Sequence, residues 1–355
     1  MASNWRSTTS RVTHHDLAVL FRSLSVMFSS GISLQQGLPL LAPQLDNPTL
    51  QSAVVGISQS IRVGHSFYKA ICRYPDIFPL VHRQMFRVAE VTGSLPLVLD
   101  RVAVHEEKAH ESSIRLRSVM IYPLCILTVS FLFIVFIPPW LFRELFGVIR
   151  RSDVELPLLT RVMMTFSDLL STPLAYLGLF LLVLAIAGAI RQILKHDEVQ
   201  LRLVESAMSV WGLGAALQAL ATARFARALQ LLVDVGIPMH HALELAGHAS
   251  GNLCLRERTK EAVNMVIDGA TIANALEATR FFPRLFLQAV EVGDESGELG
   301  RLLGKVADIY DTEMEYRATV LLAALEPLTM LGMGVLVGLT IVATMIPLMR
   351  LVQDL

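Results

Sequence analysis

The chain has 355 residues, 53% of them hydrophobic and 17% charged, with a formal net charge of −1. It is too apolar for an ordinary soluble protein and fits a chain with membrane spans, while its near-neutral charge gives no general pull toward nucleic acid. Three scattered cysteines, Cys72, Cys125 and Cys254, form no CxxC pair and exclude the common zinc and redox motifs.

Residues 1–16 are polar and lead into no signal-peptide core, so a short flexible tail is expected there. Residues 17–117 read as helical throughout. Leu17, Leu20, Leu24, Met27 and Phe28 recur at helical spacing until Gly31 stops the run. Ser33 is an expected N-cap for a helix through Leu34 and Leu38, and Asn47-Pro48 opens the next, which Gly64 ends. Tyr74 to Pro79 forms a Pro-bracketed turn. A helix through Met85 and Val88 then ends at a turn around Glu90 and Gly93. Leu95, Leu99, Val102 and Glu106 define a long helix that runs on toward an uncharged stretch.

Three runs are long and uncharged enough to cross a bilayer, which needs about 20 apolar residues. They cover 118–142, 169–190 and 327–349, the last extended back to 318 by a membrane-entry segment that holds Glu326. A fourth uncharged run, Ser206 to Ala223, contains Ser206, Ser209, Gln218 and Thr222 and flows into an amphipathic pattern, so it is read as part of a bundle. The expected order is tail 1–16, bundle 17–117, span 118–142, periplasmic loop 143–168, span 169–190, bundle 191–317, entry helix and span 318–349, and a periplasmic C-terminus 350–355. Ten Lys and Arg residues flank the spans on the bundle side and five on the other. This bias puts both bundles in the cytoplasm.

The second bundle repeats the first. At an offset of 205, positions 22–40 share 6 identities with 227–245, among them Arg22 with Arg227 and Gly31 with Gly236. Gly64 matches Gly269 at the same offset. After one residue is lost, an offset of 204 relates Phe78-Pro79 to Phe282-Pro283, Gly93 to Gly297, Leu95 to Leu299 and Pro123 to Pro327. Glycines and prolines that keep their order identify an internal duplication that reaches into the span that follows. Its signature is Gly293-Asp294-Glu295-Ser296-Gly297-Glu298-Leu299, whose first copy keeps only Glu90 among the acids. Asp294 or Ser296 is expected to cap a helix N-terminus.

Chemical constellations are scarce. Gly300-Arg301-Leu302-Leu303-Gly304-Lys305 has three residues between its glycines, and Val306 replaces the hydroxyl that a phosphate loop needs. His105 and His110 lie five apart, about 140° out of phase on a helix, and cannot share one zinc. His241, Glu244 and His248 fall on one helical face, where a solvated face is the default reading. The acids near the turns (Glu90, Glu107 and Glu111; Glu291, Asp294, Glu295 and Glu298) could bind a hard cation, but capping or docking is the preferred reading. No nucleophile–base pair is visible. Glu326 is the one ionisable residue of the third run and a functional candidate by position. Gly334 and Gly338 form a GxxxG that permits close helix packing.

The combination of Phe21…Gly31-Ile32-Ser33-Leu34, its second copy Phe225…Gly236-Ile237-Pro238-Met239, the two Phe-Pro pairs and the Gly293–Leu299 signature resembles the inner-membrane platform protein of type IV pilus and type II secretion machines, the PilC/GspF family. The resemblance covers roughly residues 17–350. It implies an all-α integral membrane protein with two six-helix cytoplasmic bundles and three transmembrane helices. It implies no catalysis of the protein's own, and the residues give no expectation of a cofactor or metal. It implies oligomers in a bacterial inner membrane, partnered by a cytoplasmic assembly ATPase, pilin or pseudopilin subunits and other assembly proteins, without nucleic acid. Docking candidates are Glu90, Gly93, Gly293, Asp294, Glu295, Gly297 and Glu298. Ala89 stands where the family has Gly, with Val91 and Thr92 in place of small polar residues. The alternative from another class is a small oligomeric transporter or channel centred on Glu326.

Overall fold

The computed structural model describes residues 10–149 and 212–353, together with 205–208 and a few isolated positions between 161 and 188. The expected span at 169–190 and most of the loop at 143–168 lie outside the described residues. Every regular element among the described residues is helical. The chain divides into two compact units, Met1–Leu116 with Val204–Tyr316, and Arg117–Leu203 with Arg317–Leu355.

The first unit holds both repeats. Helix α1 (His14–Ser29) opens on a capping box, in which Thr13 Oγ1 accepts from the Asp16 amide while the Asp16 carboxylate accepts from the Thr13 amide. Helices α2 (Leu34–Leu41), α3 (Pro48–Arg62), α4 (Phe67–Ile71) and α5 (Leu80–Thr92) follow, and α6 (Leu95–Ile149) begins the next stretch. The second repeat runs through α7 (Leu213–Asp234), α8 (Met239–Ala249), α9 (Leu253–Ile267), α10 (Ile272–Ala278), α11 (Arg284–Ser296) and α12 (Leu299–Ala323).

The local devices recur at matched positions. Asn47 accepts from the Thr49 and Leu50 amides at the start of α3, and Asn252 accepts from the Leu255 amide at the start of α9. Ser66 caps α4 and Thr271 caps α10. Gly93 ends α5 at φ 70° and Gly297 ends α11 at φ 72°, a left-handed conformation that costs an L side chain about 1–2 kcal/mol. Ser33 takes the extended backbone of an N-cap but its side chain makes no capping bond.

Each repeat closes on an aromatic cluster. Phe21 meets Phe78 and Phe86 at ring-centroid distances of 6.1 and 5.4 Å. Phe225 meets Phe282 and Phe286 at 4.8 and 6.0 Å. All except Phe282 are essentially inaccessible, and truncating such a residue to alanine costs about 3–5 kcal/mol. Of the uncharged run that ends at Ala223, the part in α7 contributes to this core by burying Ala216, Ala219, Ala221, Thr222 and Ala223, while Ser206 is exposed and Ser209 lies outside the described residues. Helix α5 of the first repeat packs on α7 and α8 of the second.

In the second unit, Pro123 lies inside α6 without a break, whereas α12 stops at Ala323 and α13 (Leu325–Gln353) begins after Ala324. Pro327 has no N–H to offer the Ala323 carbonyl, which accounts for an interruption at this point. Two described stretches, within Leu95–Phe133 and Leu299–Ala343, are long and apolar enough to cross a membrane. Their apolar side chains, among them Tyr122, Leu124, Leu328, Leu331 and Val335, are exposed in the isolated chain.

Candidate functional site: two helix corners and the ion pairs between the repeats

The signature forms a corner between α11 and α12, and each of its glycines answers a separate demand. Gly297 supplies the left-handed turn. Gly293 is buried, and a Cβ there would lie 2.9 Å from Leu299 Cα. Gly300 and Gly304, on the next two turns, face α7. A Cβ on Gly300 would collide with Asp234 Oδ1, and one on Gly304 would stand 2.8 Å from Gln230 Nε2. The apparent phosphate loop is therefore one face of α12, stripped of side chains so that α7 can approach.

The expected N-capping role of Asp294 or Ser296 is not what the structure has. Both residues lie in the last turn of α11, where carbonyls rather than amides are unsatisfied. The Ser296 hydroxyl donates back to the Gly293 carbonyl at 3.5 Å. Asp294 and Glu295 point to solvent, and Glu298 pairs with Arg301 on the first turn of α12. An open hollow of about 320 Å³ is lined by Asp234, Gly293, Asp294, Gly297, Glu298 and Arg301. At the first corner Gly93 turns the chain in the same way. Ala89 is fully buried where Gly293 stands in the second copy, Glu90 is half-buried, and the Thr92 and Ser94 hydroxyls bond each other at 2.7 Å.

Behind the corners runs a set of ion pairs that sequence periodicity did not reveal. Arg22 on α1 binds Glu107 through two hydrogen bonds of 2.8 and 2.7 Å and Asp100 through one of 2.5 Å. Its repeat counterpart Arg227 reaches Asp311, the counterpart of Glu107, at 2.5 Å, and Asp308 at 2.8 Å. Lys108 reaches across from the first repeat to Asp308 at 3.2 Å, and Arg101 to Asp234 at 3.4 Å. Arg22 holds the Glu107 carboxyl below its ordinary range by hydrogen bonding. Burial works against ionised Asp308, but hydrogen bonds from Arg227 and Lys108 outweigh it and lower its pKa. For Asp234 burial wins over the attraction of Arg101, and its pKa is raised. The matched Arg–acid spacing, 85 residues in one repeat and 84 in the other, was a legible signal, but only once a partner had been sought for Arg22 and Arg227.

Bundle 1 also has a buried polar cluster. Glu106, 2% exposed, lies between His14 and His82, with Nδ1–Oε2 2.8 Å and Nε2–Oε1 3.1 Å. Burial disfavours its charge, yet hydrogen bonds from both histidines hold its pKa far below the carboxylate range. The Glu106 hydrogen bond raises the pKa of His14, whereas burial pushes that of His105 down to about 4. The face of α8 singled out from sequence is looser. His241 and Glu244 are exposed and 3.9 Å apart, beside a hollow shared with His248, Arg87 and Val88.

In the second unit Tyr122 Oη donates to Glu326 Oε1 at 3.3 Å. These are repeat-equivalent positions, each preceding a matched proline. Gly334 and Gly338 have open space where a Cβ would stand, so no described part of the chain packs against them.

The family model for type II secretion system protein F matches twice, at residues 20–137 and 225–347. The chain belongs to the type II secretion system protein F family. A type IV pilus assembly protein PilC of Thermus thermophilus is 30% identical over 341 residues, which span 96% of this chain and 83% of that protein. A type II secretion system protein F of Pseudomonas aeruginosa is 27% identical over 340 residues, 95% and 83% of the two chains. One from Vibrio cholerae is 27% identical over 338 residues, 95% and 82%. The two family-model matches take in both bundles and extend along α6 and α13, as the duplication read from Gly93/Gly297 and Pro123/Pro327 requires.

Proposed function

We propose that this protein is the non-enzymatic inner-membrane platform of a type II secretion or type IV pilus machine. On this reading its two cytoplasmic bundles couple an assembly ATPase to the extrusion of pilin or pseudopilin subunits, and the chain works as an oligomer. Membership of the protein F family is the observation that carries it. The bundle geometry supports the platform role too: helical corners at matched positions and ion pairs between the two repeats.

The second-repeat corner is the stronger docking candidate. Asp294 and Glu298 stand exposed around a hollow with Glu295 exposed beside them, whereas the first corner has Glu90 alone and a buried methyl group at Ala89. We assign Gly293 and Gly297 to shaping this surface and the three acids to contacting a basic face of the ATPase or of a neighbouring subunit.

The test is co-purification of the full chain, in detergent, with the assembly ATPase of the same cell. Wild-type chain should retain the ATPase. Charge reversal of Asp294 and Glu295 should release it at salt concentrations that leave the wild-type complex intact. Retention by the reversed variant would remove the corner from the interface. Failure of the wild-type chain to bind any assembly component, together with an ion flux through liposomes that Glu326→Gln abolishes, would favour the channel reading.

A further inference from the structure

Bundle 1 carries a group of imidazoles and a carboxylate that its fold does not require. One donor atom each from His82, His105 and Glu106 lies within 4.8 Å of the other two. The His82 and His105 rings stand edge to face, 6.1 Å apart at 88°. Nδ1 of His82 and Nδ1 of His105 are both buried with no hydrogen-bond partner. A buried, unsatisfied polar atom is costly, and two such atoms in one cluster require an explanation.

The duplication supplies the comparison. At the matching offsets, His82 corresponds to Phe286, Glu106 to Tyr310 and His14 to Ala219. In bundle 2 these three are buried, at 0%, 7% and 3% exposure. The same layer can thus be filled by largely apolar side chains, and the polar set in bundle 1 serves another purpose.

We propose that His82, His105 and Glu106 form a Zn2+ site that ties α5 to α6. Two imidazoles and a carboxylate are the donor set of a borderline cation of the zinc class, and neither calcium nor magnesium favours nitrogen ligands. Ligands about 2.0–2.2 Å from a tetrahedral metal lie roughly 3.3–3.6 Å apart, so a cluster within 4.8 Å has to contract by at most about 1.2–1.5 Å. His14 on α1 is the positioning residue, since its Nδ1 bonds the second Glu106 oxygen and fixes the carboxylate. A cavity of about 330 Å³ lined by His14, His105, Lys108, Arg224, Arg227 and Asp311 gives an entry path and room for a fourth ligand. The tie is independent of the platform role and would operate whatever partner the corners bind.

The experiment uses the full chain in detergent, without a histidine tag and stripped of metal with a chelator. Zn2+ is titrated against a chromophoric competitor, and Co2+ serves as a spectroscopic probe of coordination number. One equivalent should bind, with a Co2+ visible spectrum of four- or five-coordinate nitrogen–oxygen ligation. His82→Phe and Glu106→Gln should each weaken binding by roughly 100-fold or more, and His14→Ala by about 10–100-fold. His82→Phe places the bundle 2 residue in the same layer, so it should fold and show a melting temperature that zinc no longer raises. A double variant His241→Ala, His248→Ala, on the exposed face of α8, should bind as the wild type does. Stoichiometric binding that survives His82→Phe, loss of binding only in the α8 variant, or no stoichiometric binding by the wild-type chain would each overturn the site.

Discussion

Replacing Gly293 with alanine tests whether α11 and α12 meet backbone to backbone. The added Cβ would sit 2.9 Å from Leu299 Cα and 3.2 Å from Leu299 Cδ1. Carbon atoms in a packed interior rest about 3.5–4.0 Å apart, so the methyl group intrudes by about 0.6 Å against backbone that begins α12. Overpacking of this kind costs about 1–3 kcal/mol. Alanine recovers up to about 1 kcal/mol of helix propensity, which leaves a net loss of about 1 kcal/mol. Valine adds two more methyl groups and should lose about 3 kcal/mol. Thermal unfolding of the full chain in detergent, followed by circular dichroism, gives the readout. About 1 kcal/mol moves the midpoint of a unit this size by about 2–4 °C, so the alanine variant should melt that much lower and the valine variant further down. Gly332→Ala is the control, because nothing lies within 4 Å of its would-be Cβ. An alanine variant at 293 that melts at or above the wild-type temperature would mean that propensity prevails and the close approach is wrong.

Gly297→Val places a β-branched residue at φ 72°; it should abolish machine assembly in a complementation assay while the protein still fractionates with the membrane, and normal assembly would count against the corner. Arg227→Ala strips Asp308 and Asp311 of a largely buried partner (the arginine is 11% exposed) and should cost about 2–3 kcal/mol in denaturant melts, whereas Arg22→Ala breaks half-exposed pairs and should cost about 0–1 kcal/mol. The pKa of Asp234 is raised in the folded chain, so its ionised form opposes folding at neutral pH and that opposition fades as pH falls through the folded pKa. Asp234→Asn should therefore raise the melting temperature at pH 7 and lose the advantage near pH 4; equal effects at both values would show that charge burial is not the cause.

The fold was open to sequence reading wherever one residue controls one backbone event. Gly31, Gly64, Gly93 and their copies Gly236, Gly269 and Gly297 all take positive φ, and Asn47 caps as its neighbour Pro48 suggested. The acidic signature misled because Asp294 and Glu295 sit before the turn glycine. Asp294 follows the last apolar positions of α11, and periodicity does not say whether a polar residue there ends one helix or begins the next. Gly300 and Gly304 are explained only by a helix lying about 70 residues upstream, and such a partner is invisible until the chain folds. The His82–Glu106 cluster was hidden for the same reason. A search along one helix tests His105 against His110, while the second imidazole comes from α5.

The contact between Tyr122 and Glu326 has a consequence for how this protein could have arisen. In an isologous pair of identical chains, a position on the two-fold axis meets itself. Two separate identical chains would be bound to meet there as Tyr against Tyr or Glu against Glu, the second with two like charges in apolar surroundings. Fusing the halves into one chain lifts that constraint and lets a hydroxyl donor face a carboxylate acceptor. The contact is thereby made polar, and two repeat-equivalent helices acquire distinct identities at the point where they meet.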